Sequence, residues 1–329
     1  MDFAARITGT GSAFPKNRLS NAGIVNKLAK LGVKTSDTWI RERTGIRERR
    51  ISDVENPAEL NSSLGLSAAQ KALEMAERSP EDIDQIIYAT CSPDTLLPST
   101  ACWLQHKLDA SKAWAMDINA ACSGFIYGLA TAEKFIQTGQ VKTVLVVGGE
   151  VLHPFLNWED RNSCILFGDG AGAAIVEQVP ADSTHRILSS NLLSDGNLWE
   201  LFHMPAGGSN MEVTPERYSR KLNKYKMKGK EIFKVAVKTL ADFAIQTLNK
   251  SLMTIDDLDW LVPHQANLRI IEAVANRIKL PMEKVIVNVE RYGNTSAATI
   301  PTALDEAARD GRIKSGQTVL LDAFGAGLT

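Results

Sequence analysis

Asn119-Ala120-Ala121-Cys122-Ser123-Gly124-Phe125 places one cysteine at the joint between a buried strand and an amphipathic helix. Upstream, Ala113-Trp114-Ala115-Met116-Asp117-Ile118 reads as a largely apolar strand. Downstream, Phe125, Leu129, Ala132 and Ile136 recur at helical spacing, with a stop signal at Gly139. A thiol at such a joint faces unpaired backbone N–H groups and the positive end of a helix dipole, which is expected to lower its pKa toward the thiolate. The same N–H groups can receive an oxyanion when the sulfur attacks a carbonyl. Ala120, Ala121 and Gly124 are small enough to let a substrate come close. A buried structural cysteine is the competing reading of this stretch taken alone.

The same strand-and-helix rhythm extends in both directions and predicts an α/β layered architecture. Ile83–Thr90 reads as a strand, Ser99–Leu108 as a helix, Thr143–Gly149 as a fully buried strand and Ala173–Val176 as another. In the second half a helix at Lys230–Leu252 precedes the strand Trp260–Val262 and a helix from about Ala266 to Arg277. The strand Val285–Val289, the helix Ser296–Arg309 and the strand Thr318–Ala323 follow. No Pro/Gly/Ser-rich linker interrupts this order, and Ser183–Ser194 reads as a strand-bearing joint.

Composition removes several classes of function. The 329 residues are 44% hydrophobic with a net charge of −1, so no global basic excess points to nucleic acid. No apolar run approaches the ~18 residues of a membrane span, and Met1–Arg6 lacks the blocks of a secretory signal. Cys91, Cys102, Cys122 and Cys164 form no CxxC pair, so neither a metal site nor a disulfide framework is expected, and a reducing cytoplasm suits the chain.

Phe167-Gly168-Asp169-Gly170-Ala171-Gly172 has the look of a nucleotide loop. It leads into the short, β-branched Ala173–Val176 instead of a helix, so a tight turn between strands is the better reading. Pro263-His264-Gln265-Ala266-Asn267 and Tyr292-Gly293-Asn294-Thr295-Ser296 each sit where a strand meets a helix, as Cys122 does. Ligands bind at strand ends in open α/β sheets. A lone histidine or a lone Gly-Asn is ordinarily structural; three polar side chains at equivalent joints point to a site.

With these residues in view the chain resembles the β-ketoacyl-acyl carrier protein synthase III family over essentially its whole length. Ile7–Ser12, Thr35–Ile46, Phe167–Ala173, Trp260–Arg269 and Arg291–Ala298 carry the likeness. The resemblance implies a thiolase-like αβαβα body of five layers made of two similar halves, residues 1–180 with the cysteine and 181–329 with His264 and Asn294, normally a homodimer. It also implies a chemistry. Cys122 takes an acyl group from acyl-CoA, malonyl-acyl carrier protein is decarboxylated, and the carbanion attacks acyl-Cys122. Loss of CO2 supplies the carbanion, so the step needs hydrogen-bond donors more than a base. A neutral His264 Nε2–H and the Asn294 amide suit that, each donor contributing roughly 3–4 kcal/mol. CoA is a substrate, and no cofactor is expected.

The resemblance also assigns binding residues. Trp39 would stack on adenine with Arg161 on the opposite face, Thr35 and Arg43 would lie near the nucleotide end, and Asn267 would line the pantetheine channel. Gln265, Ala266, Asn267, Leu268 and Arg269 would receive the carrier protein. A local basic cluster from Arg217 to Lys238, including Lys228 and Lys234, would steer it, three lysines of Lys224–Lys228 sharing one strand face. Leu97 and Phe324 are assigned to the acyl pocket, Leu97 at a position where a bulky aromatic can close it from the partner subunit. Leucine there predicts room for acyl groups longer than acetyl. Ala326 replaces a family glycine, an exchange costing about 1 kcal/mol if φ is positive. Family members continue beyond Leu328-Thr329, and a natural extension of roughly ten residues, one strand and its turn, is expected.

Other readings use the same residues. A condensing enzyme of secondary metabolism shares them all. A papain-like hydrolase also uses Cys, His and Asn but gives Trp39-Ile40 and Arg43-Thr44-Gly45 no role. A catalytically idle binding protein has no use for a complete set. The starter acyl group is not legible.

Overall fold

The computed structural model describes residues 2–329. Its first sheet has five strands in the order Phe3–Ala13, Gly170–Pro180, Thr143–Glu150, Gln85–Ala89, Trp114–Ile118. The last three run parallel, while Gly170–Pro180 is antiparallel to both its neighbours. Because successive strand residues point to opposite faces, each strand divides its apolar side chains between two cores. Ile86, Tyr88, Leu145, Val147, Ala173 and Ile175 pack against Leu64, Ala68 and Ala72 of the Asn61–Ala76 helix and Leu104 of the Thr100–Leu108 helix. Ile87, Val144, Val146, Ala174 and Val176 face the other way.

On that second face lie Phe125, Leu129, Ala132 and Ile136 of the Gly124–Gln137 helix beside Ile300, Ala303 and Leu304 of the Thr299–Arg309 helix. The four predicted helical positions therefore do form one buried stripe. Val262 joins the same core from a second, parallel sheet of Trp260–Pro263 and Val319–Asp322. Leu261 and Leu320 turn away from it toward Ala241, Ala244 and Leu248 of the Gly229–Lys250 helix and Ile271 and Ala275 of the Leu268–Arg277 helix. Helix, sheet, helix, sheet and helix are thus stacked in five layers, with the central helical layer shared by both sheets. Each large side chain buried there contributes roughly 1.5–3 kcal/mol.

Four local expectations are corrected. Val285–Val289 is not a strand: Val285 makes a single parallel bridge to Leu261, and Val289–Tyr292 is a helical turn. The Gln265 side chain is the reason, since its Oε1 accepts the Asn288 and Val289 N–H groups at 3.0 and 3.2 Å and draws them off the ladder. Gly170 and Gly172 lie inside a strand, not in a turn. A Cβ on Gly172 would fall 2.7 Å from Pro301 Cβ, so glycine lets the central helix approach the sheet. Ser183–Ser194 contains no strand. Finally, only Lys226–Met227 of the lysine-rich segment is a strand, paired with Phe202–His203.

Candidate active site

Cys122 occupies the 3-10 turn Ala121–Ser123 that feeds the Gly124–Gln137 helix. A second 3-10 turn, Ser296–Ala298, packs against it and feeds the Thr299–Arg309 helix. This second turn gathers the three residues. The contact between the two turns sets Ser296 beside Cys122, and the Ser296 N–H donates to Asn294 Oδ1 at 2.8 Å. The Thr299 hydroxyl lies 2.7 Å from His264 Nδ1. His264, Asn294 and Cys122 are 5%, 6% and 6% exposed, so the site is nearly dry.

Backbone groups hold each side chain. The His264 N–H donates to the Asp322 carbonyl at 2.7 Å, linking it to the neighbouring strand end. Asn294 donates its N–H to the Leu166 carbonyl at 2.8 Å and accepts the Gly168 N–H at 3.0 Å. Its Oδ1 is engaged by Ser296, which leaves the amide NH2 as the donor among the described residues. Against Cys122 stands the late turn, which brings the Ala326 N–H beside the sulfur together with the N–H of Cys122 itself. Gly325 permits this approach, because a Cβ there would lie 2.9 Å from the Cys122 nitrogen. Ala326 is not among the residues with positive φ, so alanine carries no backbone penalty.

Burial dominates the electrostatics. It pushes the Cys122 thiol up to about 12, with the Glu150 charge adding to it, despite the Ser296, Cys122 and Ala326 donors. The expected depressed thiol is therefore corrected: loss of hydration outweighs the N–H groups and the helix end. Burial likewise lowers His264 to about 3, so the imidazole is neutral at any working pH. Its tautomer rests on Thr299, whose single proton serves either the Ser296 carbonyl, 2.9 Å away, or Nδ1. Nε2–H exists when Thr299 donates to Nδ1.

Trp39 lies on the Asp37–Thr44 helix, which the Ser36 side chain caps. The Arg43 and Arg161 guanidiniums sit 4.6 and 4.5 Å from its ring centroid. Arg161 thus stacks on the indole itself, not across a gap, and a base entering between them displaces it. The Thr35 hydroxyl is buried with no partner among the described residues. Asn267 caps the Leu268–Arg277 helix, its Oδ1 accepting the Ile270 N–H at 3.0 Å.

Other assignments fare differently. Gln265 is fully buried, its amide spent on Pro263, Ile286, Asn288 and Val289, so no carrier protein can reach it. Ala266 and Leu268 are half-buried, and Arg269 is exposed with its guanidinium 5.8 Å from the Phe233 ring centroid. The three-lysine strand face does not form. Lys224 turns inward to the Pro154 carbonyl, where burial lowers its pKa, and Lys228 pairs with Glu200 at 3.5 Å. The basic stripe instead runs along a helix, where Lys230, Lys234 and Lys238 are exposed at four-residue spacing. Leu97 is 88% exposed and walls no pocket of its own chain. Phe324 packs among Ala236, Leu240, Ile270 and Val274. Ser296, Thr299 and Glu150 were not singled out in the sequence. Glu150 offered a signal, as the one charge closing the apolar run Val144–Gly149.

Comparison with known proteins agrees with this geometry. The family description 3-oxoacyl-[acyl-carrier-protein] synthase III matches residues 116–196, and the C-terminal description of that synthase matches residues 248–329. The chain is 50% identical over 326 residues to the β-ketoacyl-[acyl-carrier-protein] synthase III of Caldanaerobacter subterraneus subsp. tengcongensis, covering 99% of this chain and 96% of the relative. The protein of the same name from Thioalkalivibrio sulfidiphilus is 47% identical, with 99% and 97% covered. The crystal structure of 3-oxoacyl-[acyl-carrier-protein] synthase III from Aquifex aeolicus VF5 superimposes with a TM-score of 0.88 at 42% identity, covering 98% of this chain and 97% of that one.

Proposed function

The chain belongs to the β-ketoacyl-[acyl-carrier-protein] synthase III family, and from that premise we propose that Cys122, His264 and Asn294 carry its reaction. The enzyme is an acyltransferase that condenses an acyl-CoA starter with malonyl-acyl carrier protein, the initiating step of fatty-acid synthesis. Cys122 attacks the starter thioester, and its own N–H and that of Ala326 receive the oxyanion. CoA leaves and the malonyl thioester enters. As CO2 departs, charge moves onto the thioester oxygen, where the Asn294 NH2 and a neutral His264 donate. The carbanion then attacks acyl-Cys122, and the thiol is released. The observation that carries this reading is the single turn at Ser296–Thr299, which packs against the turn that holds Cys122 and hydrogen-bonds Asn294 and His264.

Three further parts of the proposal concern binding. Trp39, Thr35, Arg43, Arg161 and Asn267 receive CoA. Arg269 with the Lys230–Lys238 stripe receives the acidic carrier. Leu96 and Leu97, 83% and 88% exposed, would be covered in a homodimer, where Leu97 could close the partner's acyl pocket. The halves divide near residue 180, where the first sheet ends. No helix of the described residues is long and apolar enough to cross a membrane, and we propose a cytoplasmic location.

Incubation with acyl-CoA followed by intact mass tests the assignment. Wild type should gain one acyl group and Cys122→Ala none. His264→Ala and Asn294→Ala should acylate but fail to decarboxylate malonyl-acyl carrier protein. An acylated Cys122→Ala protein would overturn the assignment.

A further inference from the structure

Arg49, on the short strand Glu48–Arg50, is 0% exposed. No carboxylate pairs with it among the described residues, and the adjacent Glu48 pairs with Arg18 at 3.6 Å. Burial lowers its pKa to about 10, which still leaves it charged at neutral pH. The thiol of Cys164, next to Ile165 in the chain, is pushed up to about 12 by burial and supplies no anion. A buried charge without a counterion is costly, so the guanidinium is compensated only by the neutral groups it donates to.

Those groups belong to two different parts of the site. Arg49 Nη1 donates to Asn21 Oδ1 at 2.8 Å and to the Leu19 carbonyl at 3.2 Å. The Asn21 amide in turn donates to Asp37 Oδ1 at 2.8 Å and to the Ile46 carbonyl at 2.7 Å. Asp37 opens the Asp37–Thr44 helix, and Ile46 follows its Gly45 cap. One amide therefore straps both ends of the helix that carries Trp39 and Arg43.

The other arm leads to Asn294. Arg49 Nη2 donates to the Ile165 carbonyl at 2.6 Å. The next carbonyl, that of Leu166, accepts the Asn294 N–H at 2.8 Å, and the Gly168 N–H donates to the Asn294 carbonyl at 3.0 Å. The base of the Arg49 side chain lies against the same bridge, since a Cβ on Gly168 or Gly293 would fall 3.0 or 3.3 Å from Arg49 Cβ. A planar fork holds such separated acceptors at once, whereas a lysine ammonium is a compact point donor.

We propose that Arg49 is a shared anchor that positions the Trp39 helix for CoA and Asn294 for the decarboxylating thioester. The inference rests on the condensing reading above and extends it to a residue remote from the chemistry. Arg49 touches no reacting atom and is a positioning residue. Cys122 sits on the Ala121–Ser123 turn, outside both arms. The two substrate-handling parts thus share a support that the nucleophile does not use.

The test measures, per acylatable Cys122, the KM for acyl-CoA, the single-turnover acylation rate at saturating acyl-CoA, and decarboxylation of malonyl-acyl carrier protein by the acylated enzyme. Arg49→Lys should raise the KM several-fold, part of what base stacking is worth. It should slow decarboxylation roughly ten- to a hundredfold, the cost of a misplaced group, while saturated acylation keeps its wild-type rate. A merely structural loss would reduce the number of acylatable sites and leave these constants alone. Asn21→Asp is a second variant that does not depend on Arg49→Lys folding, because its carboxylate still accepts from Arg49 and adds the missing counter-charge. It lacks the NH2 group that straps the helix, so it should raise the KM and leave decarboxylation unchanged. Wild-type constants in Arg49→Lys, or acylation slowed as much as decarboxylation, would overturn the anchor. An Asn21→Asp protein with an unchanged KM or slowed decarboxylation would overturn it as well. Wild type that neither acylates nor decarboxylates would instead overturn the function it rests on.

Discussion

His264 should make the protein acid-sensitive through its own burial. The imidazole falls from an ordinary 6.5 to about 3 because burial removes its hydration. In the unfolded chain it takes a proton near pH 6.5; in the folded chain it stays neutral until about pH 3. The unfolded state therefore binds more protons between those values, and stability falls as pH drops through that window. At 1.36 kcal/mol per pH unit the full effect approaches about 5 kcal/mol. Between pH 7.5 and pH 5 the same linkage gives about 2 kcal/mol. Above pH 7.5 it contributes almost nothing further.

His264→Gln isolates this contribution, because glutamine does not titrate. Urea unfolding of wild type and variant at pH 7.5 and pH 5 gives four free energies, and whatever the substitution costs at neutral pH cancels in the comparison. Wild type should lose about 2 kcal/mol more than His264→Gln over that interval. Equal losses, or a His264 ring that titrates near 6.5 by NMR, would refute the neutral imidazole. The donor role during decarboxylation would fall with it.

The remaining expectations concern other contacts. Trp39→Ala should raise the KM for acyl-CoA roughly five- to hundredfold, the worth of about 1–3 kcal/mol of base stacking, with kcat little changed; an unaltered KM would remove Trp39 from the nucleotide site. Thr299→Val cannot donate to His264 Nδ1, so it should slow condensation by a few-fold to about tenfold, the scale of one hydrogen bond, while acyl-CoA still labels Cys122 at the wild-type rate. Equal slowing of both steps would mean that Thr299 only supports the fold. Reversing Lys230, Lys234 and Lys238 to glutamate should raise the KM for malonyl-acyl carrier protein and leave self-acylation unchanged. In wild type that KM should climb with salt, because these exposed charges are screened over about 8–10 Å; a salt-independent KM would reduce the stripe to solvated surface.

The meeting of Cys122, His264 and Asn294 was legible in part: Cys122 and His264 each follow a strand, where hydrophobic periodicity changes, whereas Asn294 follows the helical turn Val289–Tyr292 and not the expected strand. What joins them was not. Ser296 and Thr299 read as ordinary turn and capping residues, and only the packing of one 3-10 turn on another brings them beside Cys122 and His264. Gln265 was misread for a related reason. Its place beside His264 suggested a shared surface, yet the chain turns its amide inward to tie down Asn288 and Val289. Lys224 likewise follows a period-two pattern that only two residues of the segment realise as strand. The layered fold was more accessible. Each strand alternates between two apolar faces, and the positions that fill the central helical layer were countable before any contact was known.

The largest misjudgement was the sign of the Cys122 shift, and its cause bears on how the site works. Backbone N–H groups and a helix end favour a thiolate, but they act on a sulfur that is 6% exposed and lies near the buried carboxylate of Glu150. Such a site stores no anion in the resting state. Its donors are worth more for the same reason, since a hydrogen bond in a dry pocket is not diluted by water. The oxyanion of acyl transfer and the enolate of decarboxylation both develop charge only in passing, where preorganised neutral donors act at full strength. A resting thiolate would instead hold the same N–H groups permanently. Keeping Cys122 as a thiol leaves those donors free for the oxyanion, and it requires the proton to leave during the attack itself. Burial thus ties the protonation state of the nucleophile, the neutrality of His264 and the need for a nearby proton acceptor to one physical cause.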